Sequence, residues 1–91
     1  MKLNLYSLKD NVSGSFSNIT INENDALAIR DVKVAINMST PNRTMVQLRP
    51  EDYTLYRLGS YESKTGVITS EVEFVVNCID LKEDLERGKT S

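Results

Sequence analysis

The chain has 91 residues, 40% of them hydrophobic and 26% charged, with a formal net charge of −2, one cysteine and no histidine. That length and balance fit a single small folded domain and exclude a disordered chain. No apolar run reaches the roughly 20 residues that cross a bilayer, and a sequence pI near 5.0 lacks the basic footprint of most nucleic-acid binders.

The predicted elements run as follows. KLNLYSL (2–8) carries apolar residues on both faces and reads as a strand covered on both sides or lying at a dimer seam. KDNVSG supplies a turn, and FSNITI (16–21) a second strand with Ile19 and Ile21 inward. Asn22 to Asp25 provides short polar caps for a helix, and DALAIRDVKVAINM follows at helical period. Asp25, Ile29, Val32 and Ile36 recur on one stripe, with Ala28 and Ala35 beside them as the core face. Arg30, Asp31 and Lys33 take the other side, where Leu27 and Val34 hint at a second contact.

Proline at position 41 ends the helix region, because it removes a donor and disfavours α for the residue before it. Met45–Leu48 reads as a short strand or a loop, Pro50-Glu51-Asp52 as a turn, and Tyr53–Tyr61 as the clearest strand. Glu62 to Gly66 forms a hairpin connection in which Gly66 supplies positive φ. Val67–Ser70 and Val72–Val76 return as strand segments, and Asp80-Leu81-Lys82-Glu83 reads as a capping box opening a short helix with Leu81 and Leu85 on one face and Gly88 as its stop. The expected fold is α+β: a small antiparallel, hairpin-rich sheet, one main helix on a face, and a short C-terminal helix. Residues 1–88 form this single domain and 89–91 a disordered tail. Only about 60–65% of the unfolded surface of so short a chain is buried, so a partner chain is expected, a homodimer above all.

Without histidine the chain lacks the commonest general base and metal ligand, and one cysteine makes neither a zinc site nor an internal disulfide. Glu51-Asp52 and Glu83-Asp84 read as solvated pairs, and the glycines stand singly rather than in a phosphate loop. The expectation is a non-enzymatic protein with no metal and no cofactor. MKLNLYSLKDN has no continuous apolar segment and does not read as a signal peptide. The Asn-x-Ser/Thr matches at Asn11, Asn18, Asn37 and Asn42 are therefore read as chance.

The remaining chemistry lies in RPEDYTLYRLGSYESKTGVIT (49–69). Tyrosines could stack bases and arginines could hold phosphates, although aromatic residues also stabilise strands by cross-strand pairing. Strict alternation sets Tyr53, Leu55, Arg57 and Tyr61 on one face and Tyr56 and Leu58 on the other. The block PEDYTLYRLGSYESKTGVI, with the opening KLNLYSLKD and the segment NDALAIRDVK, resembles the small nonstructural proteins of gokushoviruses, single-stranded DNA phages of the Microviridae. The resemblance covers most of residues 2–69. It implies an accessory protein in the cytoplasm of a bacterial host, binding single-stranded DNA during genome replication or the switch to single-stranded synthesis and packaging. The alternative is a protein-interaction module that contacts the viral replication initiator or the host replisome. The positions matching the family pattern include Arg30 and Tyr56. Arg30, Lys33, Arg43, Tyr56 and Arg57 are the expected DNA contacts.

Overall fold

The computed structural model describes residues 1–83. Five strands form one antiparallel sheet: β1 (Lys2–Asp10), β2 (Ser15–Phe16), β3 (Thr20–Asn22), β4 (Tyr53–Glu62) and β5 (Ile68–Asn77). Their order is β2-β1-β4-β5, with β3 also pairing to β1. The helix α1 (Asp25–Asn37) and a four-residue helix, α2 (Met45–Leu48), lie between β3 and β4. The α+β architecture expected from the sequence is the one observed.

Helix α1 starts where the local chemistry allows it. The Asn24 side chain accepts from the Leu27 backbone N–H at 2.9 Å, and Asp25 sits in the positively polarised first turn. Its core face buries Ala28 and Ile36, while Ile29 and Val32 pack against the cluster of Tyr6, Ala28 and Leu55. Ala35 is exposed, so the core stripe is narrower than the sequence suggests. Leu27 is half-buried, and Val34 is exposed as expected.

The helix has no glycine at its end. Gln47 does that work instead: its buried amide donates to the carbonyls of Ala35 at 2.9 Å and Met38 at 3.1 Å. This explains a departure from expectation, because Met45–Leu48 is helical rather than a strand. Thr44 and Gln47 form a reciprocal capping box that starts a turn and aims the glutamine at the open end of α1. Pro50–Asp52 then makes a 3-10 turn leading into β4.

Strand FSNITI is also revised. It breaks into β2 and β3, and Ile19 and Ile21 are 59% and 53% exposed rather than inward. The cause is a serine pair. The Ser7 hydroxyl donates to the Ser17 carbonyl at 2.8 Å, and the Ser17 hydroxyl accepts from the Leu8 N–H at 3.2 Å. These side-chain bonds, with one backbone bond from the Ser17 N–H to the Leu8 carbonyl at 2.8 Å, hold the segment between the two short strands against β1.

The β4–β5 hairpin closes through Gly66 at φ 75°, as its sequence predicted. The two returning segments are one continuous strand. Cys78–Leu81 forms a 3-10 turn in place of the expected helix start at Asp80, and it is tied to α1 by Asn37, whose amide donates to the Leu81 carbonyl and whose oxygen accepts from the Glu83 N–H, both at 2.9 Å. Leu85, Gly88 and the expected tail at 89–91 lie outside the described residues.

A break in strand alternation decides what the sheet presents. Leu5 pairs with Gly59 and Tyr6 with Arg57, so Leu58 is an extra residue in β4. Gly59 follows at φ 151°, where an added Cβ would lie 2.0 Å from the Thr69 carbonyl oxygen. Beyond this bulge the alternation is inverted. Tyr61 pairs with Leu3, on the face of Ser7 and Tyr56, and not on the face of Arg57 as simple alternation implies.

Candidate nucleic-acid interface

The two faces of the sheet carry different chemistry. On the helix-covered face, Tyr6 is fully buried and its hydroxyl donates to Asp25 at 2.6 Å. Arg57 donates from one guanidinium nitrogen to both oxygens of Asp25, at 3.1 and 2.9 Å, and pairs with Glu73 across the β4–β5 ladder. The two terminal guanidinium nitrogens are thus held by two different carboxylates, Asp25 and Glu73. Burial and the Asp25 bond push the Tyr6 phenol up to about 12, while the Asp25 contacts raise Arg57 further above its ordinary value.

On the face away from the helix, three rings line up. Tyr56 lies between Phe16 and Phe74, with centroids 5.6 and 6.4 Å away and interplanar angles of 72° and 88°. These are edge-to-face contacts, which give each ring a fixed position. Phe16 and Phe74 remain 43% and 58% exposed, and Tyr56 between them is half-buried. Lys9 places its ammonium 5.7 Å from the Phe16 centroid and 6.0 Å from that of Tyr56. The result is a row of three rings with one cation, open to solvent.

The five residues expected to contact DNA are not brought together. Tyr56 joins the ring row, but adjacent Arg57 points to the opposite face and is held by two carboxylates. Arg30 and Lys33 lie on the exposed side of α1, where they line a shallow depression of about 430 Å³ with Met38 and Glu83. Arg30 pairs with Asp31 at 3.7 Å and Lys33 with Glu83 at 4.0 Å. Arg43 is exposed in the loop before α2 and makes no ion pair among the described residues. Sequence reasoning missed Lys9, Phe16 and Phe74. Each was assigned to a strand or turn, but only the pairing of Lys9 with Phe16 and of Tyr56 with Phe74 reveals the cluster.

Other features offer less. A cavity of about 290 Å³ between α1 and the sheet is walled mainly by Leu8, Ala28, Val32, Ile36, Val46 and Leu55, and every buried polar side-chain atom among the described residues has a partner. Cys78 is fully buried, and burial pushes its thiol up to about 11, away from the reactive thiolate. Among the described residues no three metal-binding side chains gather, and no helix is long and apolar enough to cross a membrane.

The family model described as phage ORF5 protein matches residues 3–81, an interval that holds the sheet from the second residue of β1 onward, both helices and the ring row. The chain belongs to the phage ORF5 protein family. No curated protein and no solved structure matches it. Within this ORF5 protein the match begins in β1 and ends in the 3-10 turn at Leu81, so it covers every element described here except the first residue of β1.

Proposed function

We propose that this phage ORF5 protein is a non-enzymatic accessory factor that binds single-stranded DNA on the helix-free face of its sheet. In this reading Phe16, Tyr56 and Phe74 stack bases and Lys9 holds a phosphate. The observation that carries it is the solvent-open row of three rings with a cation at 5.7–6.0 Å on an otherwise acidic protein. Every base has a π-face, so stacking is sequence-tolerant, while a duplex keeps its bases inside and cannot use the rings. Lys9 switches from cation–π partner to phosphate partner without crossing the sheet. The gokushovirus resemblance supplies the setting: replication, or the switch to single-stranded genome synthesis and packaging, in the host cytoplasm.

The test is a titration with single-stranded and duplex oligonucleotides across salt concentrations. Preference for single strands is expected, with a shallow salt dependence because few phosphates are neutralised; each contributes a slope of about −0.7 on single strands. Lys9→Ala should flatten that slope by roughly one contact. Equal affinity for duplex, or no binding at micromolar protein, would sink the reading and favour the alternative partner, the replication initiator or a host replisome protein.

A further inference from the structure

The two edges of the sheet are unequal. On one side β1 is covered by β2 and β3, two and three residues long and separated by the Ser17 segment. On the other, β5 runs for ten residues, and among the described residues no strand pairs with its outer edge. Such an edge presents a row of backbone donors and acceptors, and proteins usually blunt it with proline, lysine or a short length. β5 has no proline and no lysine and is long; its protection is limited to Glu71, Glu73 and two breaks in its ladder with β4, at Val75 and at Glu71–Val72. Beside the edge, on the helix-free face, Ile68, Val72 and Phe74 are 63%, 58% and 58% exposed.

We propose that this edge pairs antiparallel with the β5 strand of a second copy, about a two-fold axis at Ser70. Identical strands running antiparallel satisfy one another's ladder with a single self-complementary surface. Charge selects the register. An axis at Val72 sets Glu71 against the partner's Glu73, and an axis at Glu71 or Glu73 opposes each carboxylate to its own copy. Like charges directly opposite are destabilising. An axis at Ser70 sets Glu71 against the partner's Thr69 and Glu73 against the partner's Val67. It also sets Ile68 against the partner's Val72 on the open face, twice by symmetry, so both uncovered side chains gain an apolar neighbour. An axis one residue away, at Thr69, opposes Ile68 to the partner's Ser70 and loses that pair. An axis at Phe74 sets Ile68 against the partner's Asp80, beyond the end of β5, so Ile68 gains no strand neighbour; a ladder break lies beside this axis, at Val75, as one lies beside the Ser70 axis, at Glu71–Val72. The dimer continues the sheet through both copies and sets their ring rows on one face.

The experiment is cross-linking of single cysteine variants of the full chain, since the native Cys78 is buried. Ser70→Cys lies opposite its own copy, with Cβ atoms about 4.5–5.5 Å apart, and should be captured as a covalent dimer by a short bis-maleimide. Phe74→Cys lies roughly 26 Å from its copy at about 3.3 Å per residue and should not be. Sedimentation of the unmodified protein at tens of micromolar should give twice the chain mass, and Val72→Lys should return it to a monomer that still melts cooperatively, at a midpoint that no longer rises with protein concentration. A monomeric parent, or equal capture of the two cysteine variants, overturns the pairing. A dimer that binds no DNA leaves the pairing intact and removes only the DNA reading.

Discussion

Neighbouring residues of β4, Tyr56 and Arg57, occupy opposite regimes. Arg57 lies under α1, with both ends of its guanidinium taken by Asp25 and Glu73 and with the Tyr6 hydroxyl on the same carboxylate. Tyr56 lies one residue away on the open face, between rings that keep 43% and 58% of their surface in water. The covered face satisfies its polar groups internally and so contributes to stability. The open face leaves large apolar area unpaired and is available for binding. Substitutions on the two faces should therefore separate stability from function.

The largest expected effect is on the covered face. Leu55 is 2% exposed and packs with Tyr6 and Ala28. Leu55→Ala removes its transfer energy and leaves a cavity, costing about 2–5 kcal/mol. Urea melts should show a lower midpoint with an unchanged slope. In a chain this small such a loss is a large part of the total stability. A cost below about 1 kcal/mol would mean that the core lies elsewhere.

Next comes Phe74 on the open face. Phe74→Ala should cost about 1–3 kcal/mol of affinity for single strands, with much less effect on duplex. Its effect on the urea midpoint should be only tenths of a kcal/mol, because the ring is 58% exposed. If Phe74→Ala unfolds the protein instead, the open face is structural and the contrast between faces collapses.

The covered network also titrates. The Tyr6 phenol is raised to about 12 by burial first and by Asp25 second, above an unfolded value near 10. Above pH 10 the unfolded chain releases this proton while the folded chain keeps it. The stability is thus complete below about 10 and is lost as pH rises towards 12. Two units correspond to about 2.7 kcal/mol, and water around the 40% exposed Asp25 side chain screens that to about 1–2 kcal/mol. Tyr53, raised by burial and by Asp10, pulls in the same direction. Tyr6→Phe should remove most of the alkaline loss in melts run from pH 9 to 12, and an unchanged pH profile would show that the phenol is not the sensing group.

How much of this was legible in the chain follows from range. Helix α1, a polar cap within Asn22 to Asp25, β4 and the Gly66 hairpin depend on residues within a few positions, and each was readable; that Asn24 is the capping residue comes from the structure. The bulge at Leu58 was missed although Gly59 inside a strand pattern is a local signal for one; what confirms it lies on another strand, the Thr69 carbonyl that an added Cβ at Gly59 would meet. That missed residue moved Tyr61 to the other face. The ring row was invisible for a similar reason: Phe16, Tyr56 and Phe74 come from β2, β4 and β5, and only the nonlocal pairing through β1 sets them side by side. Lys9 read as part of a turn because β1 extends two residues beyond its apolar pattern.

The smallest expected effect is the most direct comparison of the helix with the open face. Arg30 was singled out from sequence as a phosphate contact, and it stands on α1, across the sheet from the rings. Its pairing with Asp31 at 3.7 Å joins side chains that are 67% and 58% exposed. Exposed pairs of this kind contribute about 0–1 kcal/mol, so Arg30→Ala should leave the urea midpoint almost unmoved. If the rings and Lys9 carry DNA binding, the same variant should also leave affinity and salt slope unchanged. If the cations of α1 carry it, with Lys33 three residues on and Arg43 in the following loop, the slope should drop by about one and affinity should fall for every sequence alike. Arg30→Ala and Lys9→Ala titrated side by side at several salt concentrations decide between the two surfaces. A slope that responds to Arg30 and not to Lys9 would move the interface to the helix and leave the open face without a part in DNA binding.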